Sequence, residues 1–267
     1  MERPGRFAVL RSTYEFIGPV LVLVVLWESI ARSGLVHTVL LPPFSEVAAT
    51  ALYYLSPAGG YLLWKHIGLS LYRLLAGYGL AVLCSVTLGA MMGMFRSVYK
   101  FFTPILSILI PIPSLAWVPI VIIWLGLGNA TPIFIVFLTA TFPILYNTST
   151  GVRSIDHKMI WAVRSMGASR WQVFWHVILP GALVHIINGL KIGLASAWRA
   201  LVAAEMLSAA VYGLGFMIFE AREFLQVPVM YAGIISLAVI GFIIENVTFG
   251  TLESATLKRW GLLRDVH

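Results

Sequence analysis

The sequence predicts an all-α membrane protein with six transmembrane helices. This rests on its hydropathy, its long uncharged stretches and the placement of its basic residues. Of the 267 residues, 60% are hydrophobic and 11% are charged, and the mean hydropathy is +0.91. Soluble domains carry about 25% charged residues, so a water-soluble enzyme is disfavoured, and a disordered chain is excluded because low hydrophobicity is its signature. The single cysteine excludes a disulfide framework and any CxxC site.

The predicted spans follow from the need for about 20 apolar residues to cross a bilayer. Phe16–Ile30 is short and competes with a cleavable signal peptide, but the weak pattern of small residues at a cleavage site favours a retained span. Phe101–Val152 has no charge and is too long for one span, and Leu125–Pro132 divides it because Gly, Asn and Pro interrupt helices. The predicted spans are Phe16–Ile30, Leu74–Phe95, 103–125, 132–149, Ile187–Tyr212 and Val227–Gly250.

The basic residues orient these spans with both chain ends in the cytoplasm. With residues 1–15 inside, 12 of the 18 basic residues fall in inner segments: Arg3, Arg6, Arg11, Arg96, Lys100, Arg153, Lys158, Arg164, Arg170, Lys258, Arg259 and Arg264. The outer loops hold only Arg32, Lys65 and Arg222. Such a bias sets topology, and it explains the net charge of +7 without nucleic acid as a partner.

The outer segment between the first two spans predicts a short interfacial helix, Glu46–Leu55, with Ser45 as its N-cap. The chain contains no tandem repeat, low-complexity tract or linker. Residues 1–267 are therefore predicted to form a single transmembrane domain.

The segment 153–180 is too polar to span and predicts two short helices on the inner side. Asp156 is suited to cap the first helix. Its apolar positions recur at i, i+4 and i+7: Met159, Val163 and Met166. Gly167 follows as a left-handed stop.

Ser169 is suited to cap the second helix, and Pro180 is predicted to end it. Its apolar positions recur at i, i+3, i+4 and i+7: Trp171, Phe174, Trp175 and Ile178. Two interpretations stay open at this point. The pair of helices lies on the lipid headgroups, or it docks into a partner through an aromatic knob rimmed by Arg164 and Arg170.

The same segment resembles a known loop. Ala162–Gly167 followed by Ile178-Leu179-Pro180 resembles the "EAA…G…I-LP" loop of bacterial ABC importer permeases. The similarity covers nearly the whole chain and favours the branch that serves nitrate, sulfonate and taurine. It extends to Trp27-Glu28, Ser70-Leu71-Tyr72-Arg73 with Gly77, Pro111-Ile112-Pro113, Trp124-Leu125-Gly126, Phe142-Pro143-Ile144, Ala197-Trp198 and Ala204-Glu205-Met206.

The resemblance implies a type I ABC importer permease, located in the bacterial inner membrane and acting as a homodimer. Its partners would be a second copy of itself, two ATPase subunits that bind ATP, a periplasmic binding protein and membrane lipid. The loop would form the coupling helices on the ATPase, with these residues: Trp161, Ala162, Arg164, Ser165, Gly167, Ala168, Trp171, Leu179 and Pro180. Trp161 replaces the usual Glu and Val163 the second Ala, so docking would rest more on Trp161 packing and on Arg164.

The chain lacks motifs for catalysis or for a cofactor. It contains no GxxxxGK[ST], no GxGxxG after a strand, no HExxH and no nucleophile motif. We therefore expect no bound cofactor or metal and no enzymatic activity. An ion-gradient-driven secondary transporter is the main alternative, but it should show duplicated broken helices. An intramembrane hydrolase would need a catalytic pair, and the sequence offers none.

Ionisable residues within spans suggest where solute passes, because they are costly in lipid. Arg199 and Glu205 lie about 240° apart on a helix and cannot pair along one face. Lys191 and Arg199 differ by only about 80° and could line one side of an electropositive path for an anion. The alternatives are ion pairs between helices or a Lys191 that snorkels to the surface. Arg73 is either structural or a contact for the binding protein.

The predicted path residues are Lys191, Ser196, Arg199, Glu205 and Pro113. The small residues of the fifth span permit close packing, and in the resembled family this span lines the path at the dimer centre. Three prolines interrupt the third span: Pro111, Pro113 and Pro119. Gly213–Phe216 resembles the outer gate region of the family. Sulfonate, taurine, nitrate, an aromatic carboxylate and a cationic vitamin precursor remain open as solutes, and an anion is favoured.

Overall fold

The computed structural model describes residues 6–248, with side chains for 17–246, and every regular element within them is helical. The α-helices are α1 (Arg6–Arg32), α2 (Phe44–Leu55), α3 (Leu62–Met94), α4 (Arg96–Leu109), α5 (Val118–Leu125), α6 (Ala130–Arg153), α7 (His157–Ser165), α8 (Arg170–Val173), α9 (Leu179–Ser208), α10 (Leu214–Glu223) and α11 (Val227–Ile243). Turns of 3₁₀-helix occupy Pro57–Gly59 and Ser114–Trp117, and π-helical turns occupy Phe174–Ile178 and Ile244–Thr248. The all-α prediction is confirmed.

Within the described residues, 4 helical stretches are long and apolar enough to cross a membrane, and there are 5 if one bent pair counts as a single span. The four are Leu62–Met94, Ala130–Arg153, Arg170–Ser208 and Val227–Asn246. These stretches and the bent pair coincide with the second to sixth predicted spans, and the first predicted span lies inside α1. The count of six and the orientation stay predictions. Arg3, Lys258 and Gly250 lie outside the described residues.

The third predicted span, 103–125, is broken rather than continuous. Arg96–Leu109 and Ser114–Leu125 meet at a bend of 87°. Pro111 and Pro113 occupy the break, because a proline lacks the N–H of a helical hydrogen bond and disfavours helical backbone in the residue before it. The predicted division after α5 is confirmed by Gly126, which ends that helix at a φ of +76°.

The predicted capping role of Ser45 is wrong. The N-cap of α2 is Pro43, which makes no side-chain capping hydrogen bond. The Oγ of Ser45 donates to a carboxylate oxygen of Glu28 at 2.9 Å, and its N–H donates to the other at 3.1 Å. Because α2 begins at Phe44, Ser45 lies in its first turn, where the Glu28 carboxylate of α1 accepts one of the free N–H groups of the helix start.

The described residues separate into two compact units. Of the described residues, the first unit contains 6–64 and Met217–Ile235, and the second contains Lys65–Phe216 and 236–248. In the first unit, Trp27 donates its indole N–H to the carbonyl of Pro42 at 2.9 Å. Its ring lies 5.6 Å from Phe44 and 5.2 Å from Tyr231 between centroids. This aromatic cluster holds α1, α2 and α11 together within that unit.

In the second unit, α6 is the central helix and packs against α3 and α9 through glycines. A Cβ at Gly189 of α9 would lie 2.7 Å from the Asn147 Cβ and 3.1 Å from the Pro143 carbonyl oxygen. A Cβ at Gly89 of α3 would lie 2.9 Å from the Leu145 carbonyl oxygen. Such distances leave no room for a side chain. The close packing predicted for the small residues of the fifth span is therefore confirmed at Gly189.

Replacing Gly189 should destabilise the packing of α9 on α6. We expect Gly189→Ala to lower the free energy of unfolding by roughly 1–3 kcal/mol, the usual cost of overpacking. Thermal unfolding of the detergent-solubilised protein measures this. Gly79→Ala on α3 is the matched control, because a Cβ there meets nothing within 4 Å. Equal thermal unfolding midpoints for the two variants would contradict the close approach of α9 to α6.

Candidate coupling surface and translocation path

The segment 153–180, called here the hairpin, begins with α7 and a glycine turn. The Asp156 carboxylate accepts the N–H of Lys158 at 2.8 Å and caps α7. Gly167 follows the helix with a φ of +86°, and the N–H of Ala168 reaches back to the carbonyl of Val163 at 3.3 Å. This is the left-handed closure typical of helix ends. Both predicted ends of the first helix are confirmed.

The second helix begins as predicted but does not end at Pro180. Ser169 and Gln172 form a reciprocal capping box at the start of α8. The chain then passes through the π-helical turn Phe174–Ile178 directly into α9. The N–H of Leu179 bonds to the carbonyl of Phe174, five residues back. Pro180 therefore falls in the first turn of the next α-segment, where its missing N–H costs nothing, and the helix continues.

One face of the hairpin is fixed to the bundle. The buried residues of this cluster are Val152, Val173, Ile178, Ala182 and Ile186. Half-buried aliphatic residues of the hairpin pack around them, including Ile160 and Val163 of α7 and Ala168 of the turn. The hairpin is therefore held by its own chain and does not depend on lipid for its anchoring.

The opposite face is aromatic and exposed. Trp161, Met166 and Trp171 are exposed by 65%, 83% and 71%, and Trp175 by 56%. Of the periodic apolar positions, Met159, Met166, Trp171 and Trp175 are exposed. Exposure of the two tryptophans agrees with the interpretation of an aromatic knob, and smaller branched side chains fill the inner face. The exposed face is called here the aromatic face.

The predicted coupling residues divide between these two faces. Six are exposed: Trp161, Ala162, Arg164, Ser165, Gly167 and Trp171. Three are half-buried: Ala168, Leu179 and Pro180. Arg164 and Arg170, predicted to rim the knob, are both exposed. Ala168 and Leu179 pack against the buried cluster, so they belong to the anchored face of the hairpin and not to the aromatic face.

On α9, Arg199 carries an exposed charge within a span. Its side chain is 69% exposed, and Nη1 lies 3.9 Å from the carboxylate of Glu245 in the π-helical turn Ile244–Thr248. Nη2 donates to the Ser196 hydroxyl at 3.5 Å. Lys191 is also exposed, as is Pro113 at the break after α4. The sequence did not predict that Glu245 lies near Arg199. Glu245 stood out only as the single acidic residue of the last predicted span.

Glu205 lies in a different setting from Arg199. Its Oε1 accepts from Nη1 of Arg73 at 2.7 Å. The side chain of Glu205 is 0% exposed and that of Arg73 is 1% exposed. The Ser70 hydroxyl lies 2.8 Å from both carboxylate oxygens. Nε and Nη2 of Arg73 both donate to the Asn129 side-chain oxygen, at 2.9 and 2.8 Å. As their spacing predicts, Arg199 and Glu205 do not pair with each other: Arg199 lies near Glu245, and Glu205 pairs with Arg73.

This buried network also holds the segment that follows α9. The Gly215 N–H donates to Glu205 at 3.0 Å, and the Leu214 N–H donates to the Ser70 oxygen at 2.9 Å. The geometry favours the structural alternative for Arg73. The sequence singled out Arg73, Ser70 and Glu205 by resemblance, but it offered no signal for Asn129.

The fold and these surfaces define a polytopic membrane permease with an anchored, polar hairpin. The family model for the binding-protein-dependent transport system inner membrane component matches residues 85–248. The chain belongs to this family. It is the permease subunit of an ABC importer of the inner membrane, works with ATPase and binding-protein partners, and does not itself catalyse a reaction.

Similar proteins are themselves named as transport permeases. The chain is 39% identical over 242 residues to the taurine transport system permease protein TauC of Escherichia coli K12, covering 90% of this chain and 88% of that protein. It is 36% identical over 238 residues to the putative aliphatic sulfonates transport permease protein SsuC of the same organism, covering 89% and 88%. A solved inward-facing structure of the MetNI methionine ABC transporter matches with a TM-score of 0.66 at 19% identity, covering 75% of this chain and 99% of that one.

The buried ion pair yields a stability prediction. We expect Glu205→Leu alone to lower stability by about 3–5 kcal/mol, because it leaves the Arg73 charge buried without its partner. The double variant Arg73→Leu/Glu205→Leu should recover much of this loss, since it removes both charges. Thermal unfolding and the yield of folded protein in detergent measure the difference. A double variant no more stable than the single one would contradict the pairing.

Proposed function

We propose that two copies of this chain form a translocation path for a small organic anion of the sulfonate class. Each copy presents its hairpin to one of two ATPase subunits, and a binding protein delivers the solute from outside. The observation that carries the proposal is the aromatic face: four large apolar side chains exposed on a hairpin whose other face is anchored. Exposed aromatic residues rimmed by arginine are typical anchors of protein interfaces.

The anchoring makes the hairpin suitable for transmitting force. Because Val173 and Ile178 are buried against Ala182 and Ile186 of α9, a push on the aromatic face acts on α9 directly. The π-helical turn Phe174–Ile178 joins the hairpin to α9 without a flexible loop. ATP-driven closure of the ATPases would then tilt the spans and alternate the access of the central path, in the rigid-body manner general for transporters. ATP itself binds to the partner subunits.

The solute class rests on the exposed charge of α9. An arginine that is 69% exposed within a span requires water or another protein chain beside it, because hydrocarbon does not solvate a guanidinium. A path between two copies meets that need and gives an anion a cationic contact. The named relatives serve taurine and aliphatic sulfonates, and both classes carry a sulfonate. Lys191 and Ser196, on the same helix, and Pro113 complete the proposed path.

Removing an aromatic anchor should weaken the contact with the ATPase. We expect Trp171→Ala to reduce co-purification of the co-expressed cognate ATPase by at least about tenfold, because truncation of an interface hot spot costs roughly 2 kcal/mol or more and about 1.4 kcal/mol already corresponds to tenfold. Membrane insertion should be unchanged. The matched control is Trp64→Ala, which removes a similarly exposed tryptophan outside the hairpin. Full recovery of the ATPase with Trp171→Ala would contradict the docking role.

A double variant separates anion contact from ion pairing at Arg199. We expect Arg199→Gln to reduce ATP-coupled uptake of a sulfonate by about tenfold or more, since a charge-assisted contact is worth roughly 1.5–3 kcal/mol. If Arg199 served only to pair with Glu245, then Arg199→Gln/Glu245→Gln would restore uptake; we expect the double variant to remain defective. Lys191→Gln should have the smaller effect. Uptake into proteoliposomes with the binding protein measures each variant.

A further inference from the structure

A cavity of about 260 Å³ lies in the second unit, away from Arg199, between facing sides of α4 and α6. Its polar lining includes Tyr99 of α4 and Ser149 and Arg153 of α6, and its apolar lining includes Leu106 and Leu145. The function proposed above does not use these residues. Arg153 is the last residue of α6 and the first of the hairpin, which places the cavity at the predicted inner side.

The guanidinium of Arg153 is held ready for an anion. Its central carbon lies 3.8 Å from the centroid of the Tyr99 ring. Stacking uses the flat face of the guanidinium and leaves its edge N–H groups as donors, a geometry suited to an oxoanion. Within the described part of the chain, no carboxylate is paired with Arg153. The charge is therefore positioned but not neutralised.

A buried hydroxyl without a partner points to the same ligand. Ser149 is 4% exposed, and its Oγ has no hydrogen-bond partner among the described residues. A buried polar group left unpaired is costly and calls for an explanation. Ser149 lies four residues before Arg153, so both side chains are on one face of α6. The hydroxyl oxygen is itself enclosed, so an oxoanion held by the guanidinium would accept from it once the Ser149 side chain turns toward the cavity.

The remaining lining is apolar and suits a short chain. Leu106 and Ile110 on α4 and Leu145 on α6 line the cavity with Met92 of α3. We propose that this cavity binds an oxoanion carried on an alkyl chain, with the head on Arg153 and Ser149 and the chain against these side chains. Two sources share this chemistry: a soluble alkanesulfonate, for which the inference rests on the proposed function, and the phosphodiester headgroup of an anionic lipid.

The test measures binding of butane-1-sulfonate to the detergent-solubilised complex of permease and ATPases by calorimetry, without binding protein or ATP. We expect Arg153→Gln to weaken binding by about tenfold or more, and Arg153→Lys by less, because lysine keeps the charge but loses the planar fork. The matched control is Arg96→Gln: Arg96 is exposed like Arg153 but does not line the cavity, and its replacement should change binding by less than about twofold.

A second variant, Ser149→Ala, distinguishes a role in binding from misfolding and from a purely structural role. Ser149→Ala should weaken binding by several fold while leaving the unfolding midpoint of the ligand-free complex unchanged or higher, because it removes an unpaired buried hydroxyl. A lower midpoint with unchanged binding would overturn the role of Ser149.

Native mass spectrometry of the same complexes, counting retained phosphatidylglycerol, separates the two sources. Loss of sulfonate binding in Arg153→Gln assigns the site to the soluble anion. Loss of phosphatidylglycerol with unchanged sulfonate binding assigns it to lipid. If neither changes, the proposal is overturned. Neither measurement requires transport. A complex that fails to import sulfonates would therefore contradict the proposed function, but it would not decide whether the cavity binds an oxoanion.

Discussion

The second unit depends on one ion pair that no solvent reaches. Arg73 on α3 and Glu205 on α9 are 1% and 0% exposed and meet at 2.7 Å. A lone charge in such a place would be strongly destabilising, whereas a fully hydrogen-bonded pair is tolerated. Ser70 and Asn129 complete the bonds of the pair. The network thereby fixes α3, the start of α6 and α9 relative to one another at one end of the unit.

The proposed path and coupling residues lie where this full pairing is relaxed. Arg199 belongs to the same helix as Glu205, but it is exposed and meets its acidic partner only at 3.9 Å. The aromatic face likewise leaves large side chains uncovered while the other face of the hairpin is packed. A membrane protein cannot leave charges or a protein-like aromatic surface uncovered without a reason. These places are therefore where solute and ATPase contact are expected.

The sequence predicted what depends on local chemistry. The caps at Asp156 and Ser169, the stop at Gly167 and the break after α5 all follow from one or two residue types, and each was confirmed. Span positions followed from hydropathy for the same reason. Nothing in the structure tests the path and coupling roles themselves, so those stay predictions.

What failed depended on contacts between distant residues. Ser45 was predicted to cap α2, but the helix begins at Phe44, one residue before it, and the carboxylate of Glu28, 17 residues away, accepts the Ser45 N–H. The periodic set Met159, Val163 and Met166 did not show which face of α7 packs inward: Val163 packs against the buried cluster, whereas the two methionines are exposed. Pro180 was predicted to end a helix because a π-helical turn before it leaves no trace in composition. Pairs such as Arg73 with Asn129 are likewise invisible to periodicity.

The packing of α6 and α9 explains how a local push could reach the whole unit. Gly189 brings the two helix backbones so close that neither can slide past side chains of the other. Val152 of α6 and Ile186 of α9 share the buried cluster with the hairpin. We therefore expect both helices to resist a force applied at the aromatic face and to move together rather than bend. Closely packed interiors respond to force in this way, by discrete rearrangement instead of gradual deformation.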